Sequence, residues 1–101
     1  FFPGVAADTD RVQQTPWAET TEGTGLNLTC SHPEIAADST HWYRQFPGRA
    51  PQLVATAVRG TKPVLEPEGS LTVSADRRWS SLTLRRPWRG DAAVYYCALG
   101  P

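Results

Sequence analysis

This 101-residue sequence has neither an excess of charge of one sign nor a long apolar run. Lysine and arginine total 10, as do aspartate and glutamate, so the formal net charge is zero. No electrostatic argument therefore favours nucleic acid or an anionic membrane as the main partner. No stretch approaches the roughly 18 consecutive apolar residues of a membrane-spanning helix. We expect any membrane attachment to require sequence that is absent here.

Residues suited to catalysis or metal binding are also scarce. The sequence has two histidines, His32 and His41, and two cysteines, Cys30 and Cys97. It contains no Cys-x-x-Cys pair, no histidine partner at metal-ligand spacing and no Gly-x-Ser-x-Gly elbow. A secreted hydrolase would need a nucleophile and a base that this pattern does not supply. We therefore expect a protein that is not an enzyme and uses no cofactor or metal ion.

The two cysteines flank a tryptophan, and this is the most informative pattern in the sequence. Cys30 and Cys97 are 67 residues apart, Trp42 lies between them, and Tyr95 stands two residues before the second cysteine. This combination is expected when a disulfide joins strands B and F of an immunoglobulin sandwich and a tyrosine hydroxyl bonds back to the main chain. An even pair of cysteines also indicates an oxidising, extracytoplasmic compartment.

Short alternating segments separated by turn residues predict an all-β fold with two antiparallel sheets. Successive side chains of a strand point to opposite faces, so the alternation predicts which residues are buried. The predicted core contains Trp42, Tyr95, Leu28, Leu82 and Leu84. The residues predicted to face outward include Asn27, His41, Tyr43, Gln45 and Tyr96. After a turn at Pro47-Gly48, residues 52–56 are predicted to form a returning strand and residues 59–62 a loop.

The first residues differ in character from those that follow. Residues 1–7 are apolar or small, and Val5-Ala6-Ala7 would serve as a small-residue cleavage site. We interpret residues 1–7 as the remnant of a signal peptide or as a disordered N-terminus. Residues 8–101 then form one domain, which fits the size of a single immunoglobulin-type unit.

Four segments carry a resemblance to a known family: Leu28-Thr29-Cys30, Trp42-Tyr43-Arg44-Gln45-Phe46-Pro47-Gly48, Asp91-Ala92-Ala93-Val94-Tyr95-Tyr96-Cys97 and Cys97-Ala98-Leu99-Gly100. With them the chain resembles an immunoglobulin-superfamily V-set domain, and most closely a T-cell receptor variable domain of the alpha/delta type. The resemblance implies a V-type β-sandwich with Greek-key connections. No Phe-Gly-x-Gly strand follows Gly100, so we expect strand G to be missing or truncated.

The resemblance also implies a binding function. Such a domain pairs with a second variable domain, here of a receptor beta or gamma chain, to bind peptide displayed by a major histocompatibility molecule or another surface antigen. The implied location is the extracellular face of the plasma membrane, reached through the secretory pathway. The implied partner interface contains Tyr43, Gln45, Pro51 and Tyr96. Another V-set module, such as an antibody variable domain or a paired innate immune receptor, is the alternative.

Antigen contact is implied for three loops at one end of the sandwich. The first loop contains Glu34, Ile35, Ala36, Ala37, Asp38 and Ser39. The second contains Ala57, Val58, Arg59, Gly60, Thr61 and Lys62. The third begins with Ala98, Leu99 and Gly100.

Two polar features remain. Asn27-Leu28-Thr29 is an N-glycosylation sequon, and the alternation predicts that Asn27 faces away from the core. In the family an arginine usually pairs with the aspartate equivalent to Asp91, but Ser70 stands at the aligned position here. We therefore expect Asp91 to find another donor, either Arg44 or local backbone amides.

Overall fold

The computed structural model describes residues 13–14, 25–34 and 36–100 of the chain. The expectation for residues 1–7 and the side chain of Ile35 both lie outside these described residues. Within them the chain forms eight strands: β1 (Gln13–Gln14), β2 (Leu26–Ser31), β3 (Ser39–Gln45), β4 (Gln52–Ala57), β5 (Gly60–Val64), β6 (Gly69–Val73), β7 (Trp79–Leu84) and β8 (Val94–Gly100).

The strands form two antiparallel sheets that pack face to face. The five-stranded sheet has the order β1-β2-β7-β6-β5, and the three-stranded sheet has the order β4-β3-β8. The all-β sandwich predicted from the alternation is therefore confirmed. In the part of the chain that the structure describes, β8 pairs with β3 alone.

The core lies between the inner faces of the two sheets and follows the predicted alternation. Trp42, Leu71, Leu82 and Leu84 have no exposed surface, and Leu28 and Tyr95 are each 3% exposed. The disulfide between Cys30 on β2 and Cys97 on β8 joins the sheets, with the two Cα atoms 6.5 Å apart. This bridge confirms the predicted cysteine pair.

The connection from β4 to β5 takes the chain from the three-stranded sheet to the five-stranded sheet. In a usual V-type arrangement this next strand stays in the same sheet as β4. Here β5 pairs with β6 instead, in the register Gly60↔Val73 to Val64↔Gly69. Only Val58 and Arg59 lie between the two strands. The chain therefore changes sheets within two residues.

This sheet change corrects the predicted boundaries of the loops. Ala57 ends β4, while Gly60, Thr61 and Lys62 lie in β5, so the second loop is shorter than expected. Main-chain pairing with β6 holds these residues extended although Gly60 and the nearby Pro63 disfavour a strand locally. Two further differences occur at strand ends: Ser39 begins β3, and Ala98, Leu99 and Gly100 belong to β8.

Candidate functional site

Two tyrosines form the centre of the outer face of the three-stranded sheet. Tyr43 on β3 lies directly opposite Tyr96 on β8. Their neighbours Trp42 and Cys97 are buried, so by alternation both tyrosine side chains point away from the core. Their rings stack with centroids 5.7 Å apart and an interplanar angle of 21°. The two stacked rings together form one broad aromatic surface on the outside of the sheet.

Gln45 lies on the same face, two positions along β3 from Tyr43. Its side-chain Nε2 donates a hydrogen bond to the backbone oxygen of Arg49 at 2.9 Å, which fixes the orientation of the amide. A primary amide has a second N–H and an acceptor oxygen, and these are available to a partner. Pro51, which precedes β4, is exposed.

An exposed leucine on this face was not predicted from the sequence. Leu53 on β4 lies opposite Tyr43 and is 57% exposed. The register between β3 and β4 shifts between Trp42 and Tyr43, so alternation along β3 does not tell which β4 residue shares the face. The one local signal is spacing: Leu53 follows Pro51 by two residues, and residues two apart in a strand point to the same face. We call the set Tyr43, Gln45, Pro51, Leu53 and Tyr96 the tyrosine face.

At the end of this sheet next to the loops, a histidine forms hydrogen bonds with two hydroxyls. The ring of His41 contacts the Ser39 hydroxyl through Nε2 and the Thr56 hydroxyl through Nδ1, both at 2.9 Å. Gly100 lies against this group on β8. A Cβ atom at position 100 would stand 2.5 Å from Ser39 Oγ and 2.6 Å from His41 Nε2. A side chain at position 100, the last residue of β8, would therefore require Ser39 and His41 to move.

The first loop is fastened to the turn between β6 and β7. The backbone N–H of His32 donates to the Arg78 oxygen at 2.9 Å, and that of Ala37 donates to the Arg77 oxygen at 3.1 Å. Ala37 is 4% exposed and anchors the loop, whereas Glu34, Ala36 and Asp38 are exposed. The side chain of Ala37 is thus less accessible than those of the three exposed residues. This connection was not predicted from the sequence.

The turn that holds the first loop is itself stabilised by a hydroxyl and a carboxylate. The Ser74 hydroxyl donates to Asp76 Oδ1 at 2.6 Å, and the backbone N–H of Arg78 donates to the same carboxylate oxygen at 3.0 Å. These bonds favour the charged carboxylate, so they lower the pKa of Asp76 below its ordinary value. Arg77 takes a left-handed backbone conformation with φ of 60° at the corner of the turn.

Asp91 and Tyr95 form a buried polar contact at the opposite end of the sandwich. The Tyr95 hydroxyl donates to the backbone oxygen of Asp91 at 2.8 Å, as expected of a tyrosine corner. Asp91 accepts a bond from the backbone N–H of Trp88 at 3.1 Å, so a local backbone amide replaces the usual arginine. Burial raises the pKa of Tyr95 to about 12, and the nearby Arg44 opposes part of this rise.

The surface next to Gln45 contains a shallow pocket of about 460 Å³. It lies between the turn at residues 46–48 and residues 92–94, and its lining is mostly apolar. Within the described ranges no cluster of histidine, cysteine, aspartate or glutamate could hold a metal ion.

The fold and the tyrosine face define a domain of the immunoglobulin class that presents one sheet face and one set of loops. A family model described as an immunoglobulin V-set domain matches residues 13–101. The chain belongs to the immunoglobulin V-set family. The V-set resemblance seen in the sequence is thereby confirmed.

Proteins similar to this chain include T-cell receptor variable domains. Human T cell receptor alpha variable 2 is 37% identical over 95 residues, which cover 94% of this chain and 80% of that protein. Human T cell receptor alpha variable 26-1 is 32% identical over 95 residues, covering 93% and 84%. These relatives confirm the resemblance to the alpha/delta type and support an antigen-recognition V-set domain.

A crystal structure of a chicken TCR is similar in both fold and sequence. It superposes with a TM-score of 0.86 and is 63% identical, over 88% of this chain and 46% of that chain. The present sequence thus spans a little under half of the crystallised chain. No helix among the described residues of the present chain has the length and apolar character needed to cross a bilayer.

Proposed function

We propose that this chain is the variable domain of a T-cell receptor alpha-type or delta-type chain. It pairs with a second variable domain, of the beta or gamma type, and presents its loops to peptide bound by a major histocompatibility molecule or to another surface antigen. It acts at the extracellular face of the plasma membrane as a binding module and not as a catalyst. The observation that carries the proposal is the tyrosine face, an ordered apolar and amide surface on the outside of the three-stranded sheet.

The chemistry of the tyrosine face suits association between two similar domains. Tyrosine is enriched in protein interfaces, because its ring buries a large area while its hydroxyl remains able to form hydrogen bonds. Leu53 adds exposed apolar surface directly beside the stacked rings. The amide of Gln45 can both donate and accept, so it can form a reciprocal pair with a glutamine related to it by a pseudo-two-fold axis.

The first loop leads into the start of β3 and the second follows the end of β4, and these two strand ends are neighbours. Val58 is 51% exposed, and Arg59 beside it is also exposed. With Glu34 and Asp38 of the first loop, they give the surface both apolar and charged groups of either sign. A standard stable interface uses roughly 20 to 30 residues on each side, more than these loops provide. The loops of the paired domain supply the remainder of the antigen surface.

The test compares two glutamines on β3 and β4 that face opposite ways. Gln45→Glu places a charge in the interface, whereas Gln52→Glu makes the same change on the other side of the sheet, opposite Arg44. Each variant is mixed with beta-type and gamma-type variable domains, and the dissociation constant is measured by sedimentation. Gln45→Glu should weaken association roughly tenfold, about 1.4 kcal/mol, and Gln52→Glu should leave it unchanged. Equal dissociation constants for both variants and the parent chain would exclude the tyrosine face as the pairing surface.

A further inference from the structure

The outer face of the five-stranded sheet carries no charged side chain on the described residues of β2, β5, β6 and β7. The outward positions are Asn27, Thr29, Ser31, Thr61, Pro63, Ser70, Thr72, Trp79, Ser81 and Thr83. Over the whole chain 20% of the residues are charged, so the composition of this face departs from that of the chain. Apart from Pro63 and Trp79 its side chains are hydroxyls and one amide, so the face is polar but uncharged. We call it the hydroxyl face.

Asn27 lies on this face and is the one asparagine in the sequence. With Thr29 it forms the acceptor motif for N-linked glycosylation, and both residues are exposed on the same side of β2. The side-chain oxygen Oδ1 of Asn27 accepts hydrogen bonds from the hydroxyls of Ser81 and, at 2.9 Å, of Thr83. Two neighbouring hydroxyls on β7 therefore hold the amide in a fixed orientation.

This arrangement is compatible with a sugar on the amide nitrogen. In N-glycosylation, Nδ2 bonds to the anomeric carbon of a lipid-pyrophosphate-linked oligosaccharide. The bond from that carbon to the pyrophosphate breaks, the lipid pyrophosphate leaves, and Nδ2 loses one proton. The amide oxygen and the second N–H are unchanged, so both bonds from β7 persist in the product. The same two hydroxyls would then orient the first sugar.

An exposed tryptophan lies further along the same face. Trp79 is 44% exposed, and it stands on β7 beyond Ser81 and Thr83. Thr83 is the register partner of Asn27, so Trp79 lies about 14 Å along the strand from the glycosylation site at 3.4 Å per residue. Such a distance is within the span of a short oligosaccharide. Covering the apolar ring with the flat face of a sugar would remove apolar surface from water, which is favourable.

We infer that Asn27 carries an N-linked oligosaccharide that lies along the hydroxyl face and covers it as far as Trp79. The inference rests on the secretory route in the proposed function, because the lipid-linked donor belongs to that route. The glycan adds a bulky, solubilising group to a face that carries no charge and exposes Trp79. It also lies on the sheet opposite the tyrosine face, so it does not obstruct pairing.

The first part of the test detects the attachment. The chain is produced in animal cells behind a secretion leader, and its intact mass is measured before and after treatment with peptide N-glycosidase. We expect the parent chain and Thr29→Ser to lose mass on treatment, because serine also completes the acceptor motif. Thr29→Ala and Asn27→Gln should not. A parent chain of unmodified mass would overturn the inference, whereas pairing through the tyrosine face could still be measured.

The second part detects the covering of the face. Hydroxyl-radical oxidation of Trp79 is compared between the glycosylated chain and the Asn27→Gln variant. Trp88, which is 59% exposed in the turn before β8, serves as the internal control. Oxidation of Trp79 should fall by roughly twofold or more in the glycosylated chain, since the bulky glycan shields it, and that of Trp88 should not change. Equal oxidation of Trp79 in both proteins would overturn the covering of the face.

Discussion

The indole Nε1 of Trp42 donates a hydrogen bond to the hydroxyl of Ser80, 3.0 Å away across the interior of the sandwich. Both residues are fully buried, and they belong to different sheets. The contact stands beside the disulfide, since Trp42 is the register partner of Cys97 on β8. A polar bond and a covalent bond thus join the two sheets at the same level of the core.

Removing the acceptor of this bond should destabilise the domain. Ser80→Ala leaves a buried indole N–H without its partner, which costs about 1–3 kcal/mol. Ser70→Ala, a change on the outer face of the same sheet, should cost less than about 0.5 kcal/mol. Urea unfolding monitored by tryptophan fluorescence measures both. Equal unfolding midpoints for the two variants would show that the bond does not stabilise the fold.

The disulfide should contribute a large share of the stability of this small domain. A bridge that closes a loop of 67 residues stabilises by about 4 kcal/mol in the chain-entropy model. Replacing both Cys30 and Cys97 with alanine should therefore lower the free energy of unfolding by about that amount. Free-thiol titration of the oxidised parent chain is the companion measurement. Reactive thiols in that sample, or a midpoint insensitive to reductant, would contradict the prediction.

The buried hydroxyl of Tyr95 should make stability fall in strong alkali. Its pKa is raised from 10.0 to about 12, so the folded chain keeps the phenolic proton while the unfolded chain loses it. The stability that this proton contributes is complete below pH 10 and is lost as the pH rises from 10 to about 12. Tyr95→Phe has no such proton, so the difference in unfolding midpoint between parent and variant should narrow over this range. A constant difference would refute the assignment.

Alanine substitution should affect stability differently at Gly69 and Gly25, two glycines that lie beside the end of β7. A Cβ atom at Gly69 would overlap the backbone carbonyl of Thr83, whereas one at Gly25 would stand 3.7 Å from the Leu84 oxygen, an ordinary contact. Gly69→Ala should therefore cost about 1–3 kcal/mol or more by forcing β6 away from β7, and Gly25→Ala should be nearly neutral. Thermal unfolding of the two variants compares them directly. A tolerated alanine at 69 would mean that β6 can shift without cost.

Local alternation was enough to predict the inner and outer faces of β2, β3 and β8. The side chains of Trp42 and Tyr95 are buried and those of Tyr43 and Tyr96 point outward, because a period of two fixes the face once one inward residue is known. The cysteine pair supplied that reference for β2 and β8. The tyrosine stack follows from the register between β3 and β8, which places Tyr43 opposite Tyr96 although the two are far apart in sequence.

Pairing between distant strands explains what the sequence did not reveal. Gly60 and Pro63 disfavour a strand locally, and only the ladder with β6 holds them extended. Leu53 lies opposite Tyr43 because of a register shift between β3 and β4, which alternation along β3 does not reveal. The hydrogen bonds that hold the first loop are accepted by the backbone oxygens of Arg77 and Arg78. Every residue has such an oxygen, so the residue types at these positions do not predict the bonds.

The two-residue passage from β4 to β5 has a consequence for engineered diversity. Val58 and Arg59 are bounded on both sides by residues that pair in different sheets, so random substitution there would change surface chemistry over a nearly constant backbone. Randomising Glu34 and Asp38 would vary exposed positions on either side of Ala37, whose backbone N–H is bonded to the Arg77 oxygen. A library built on this scaffold could therefore vary surface composition in the two loops separately.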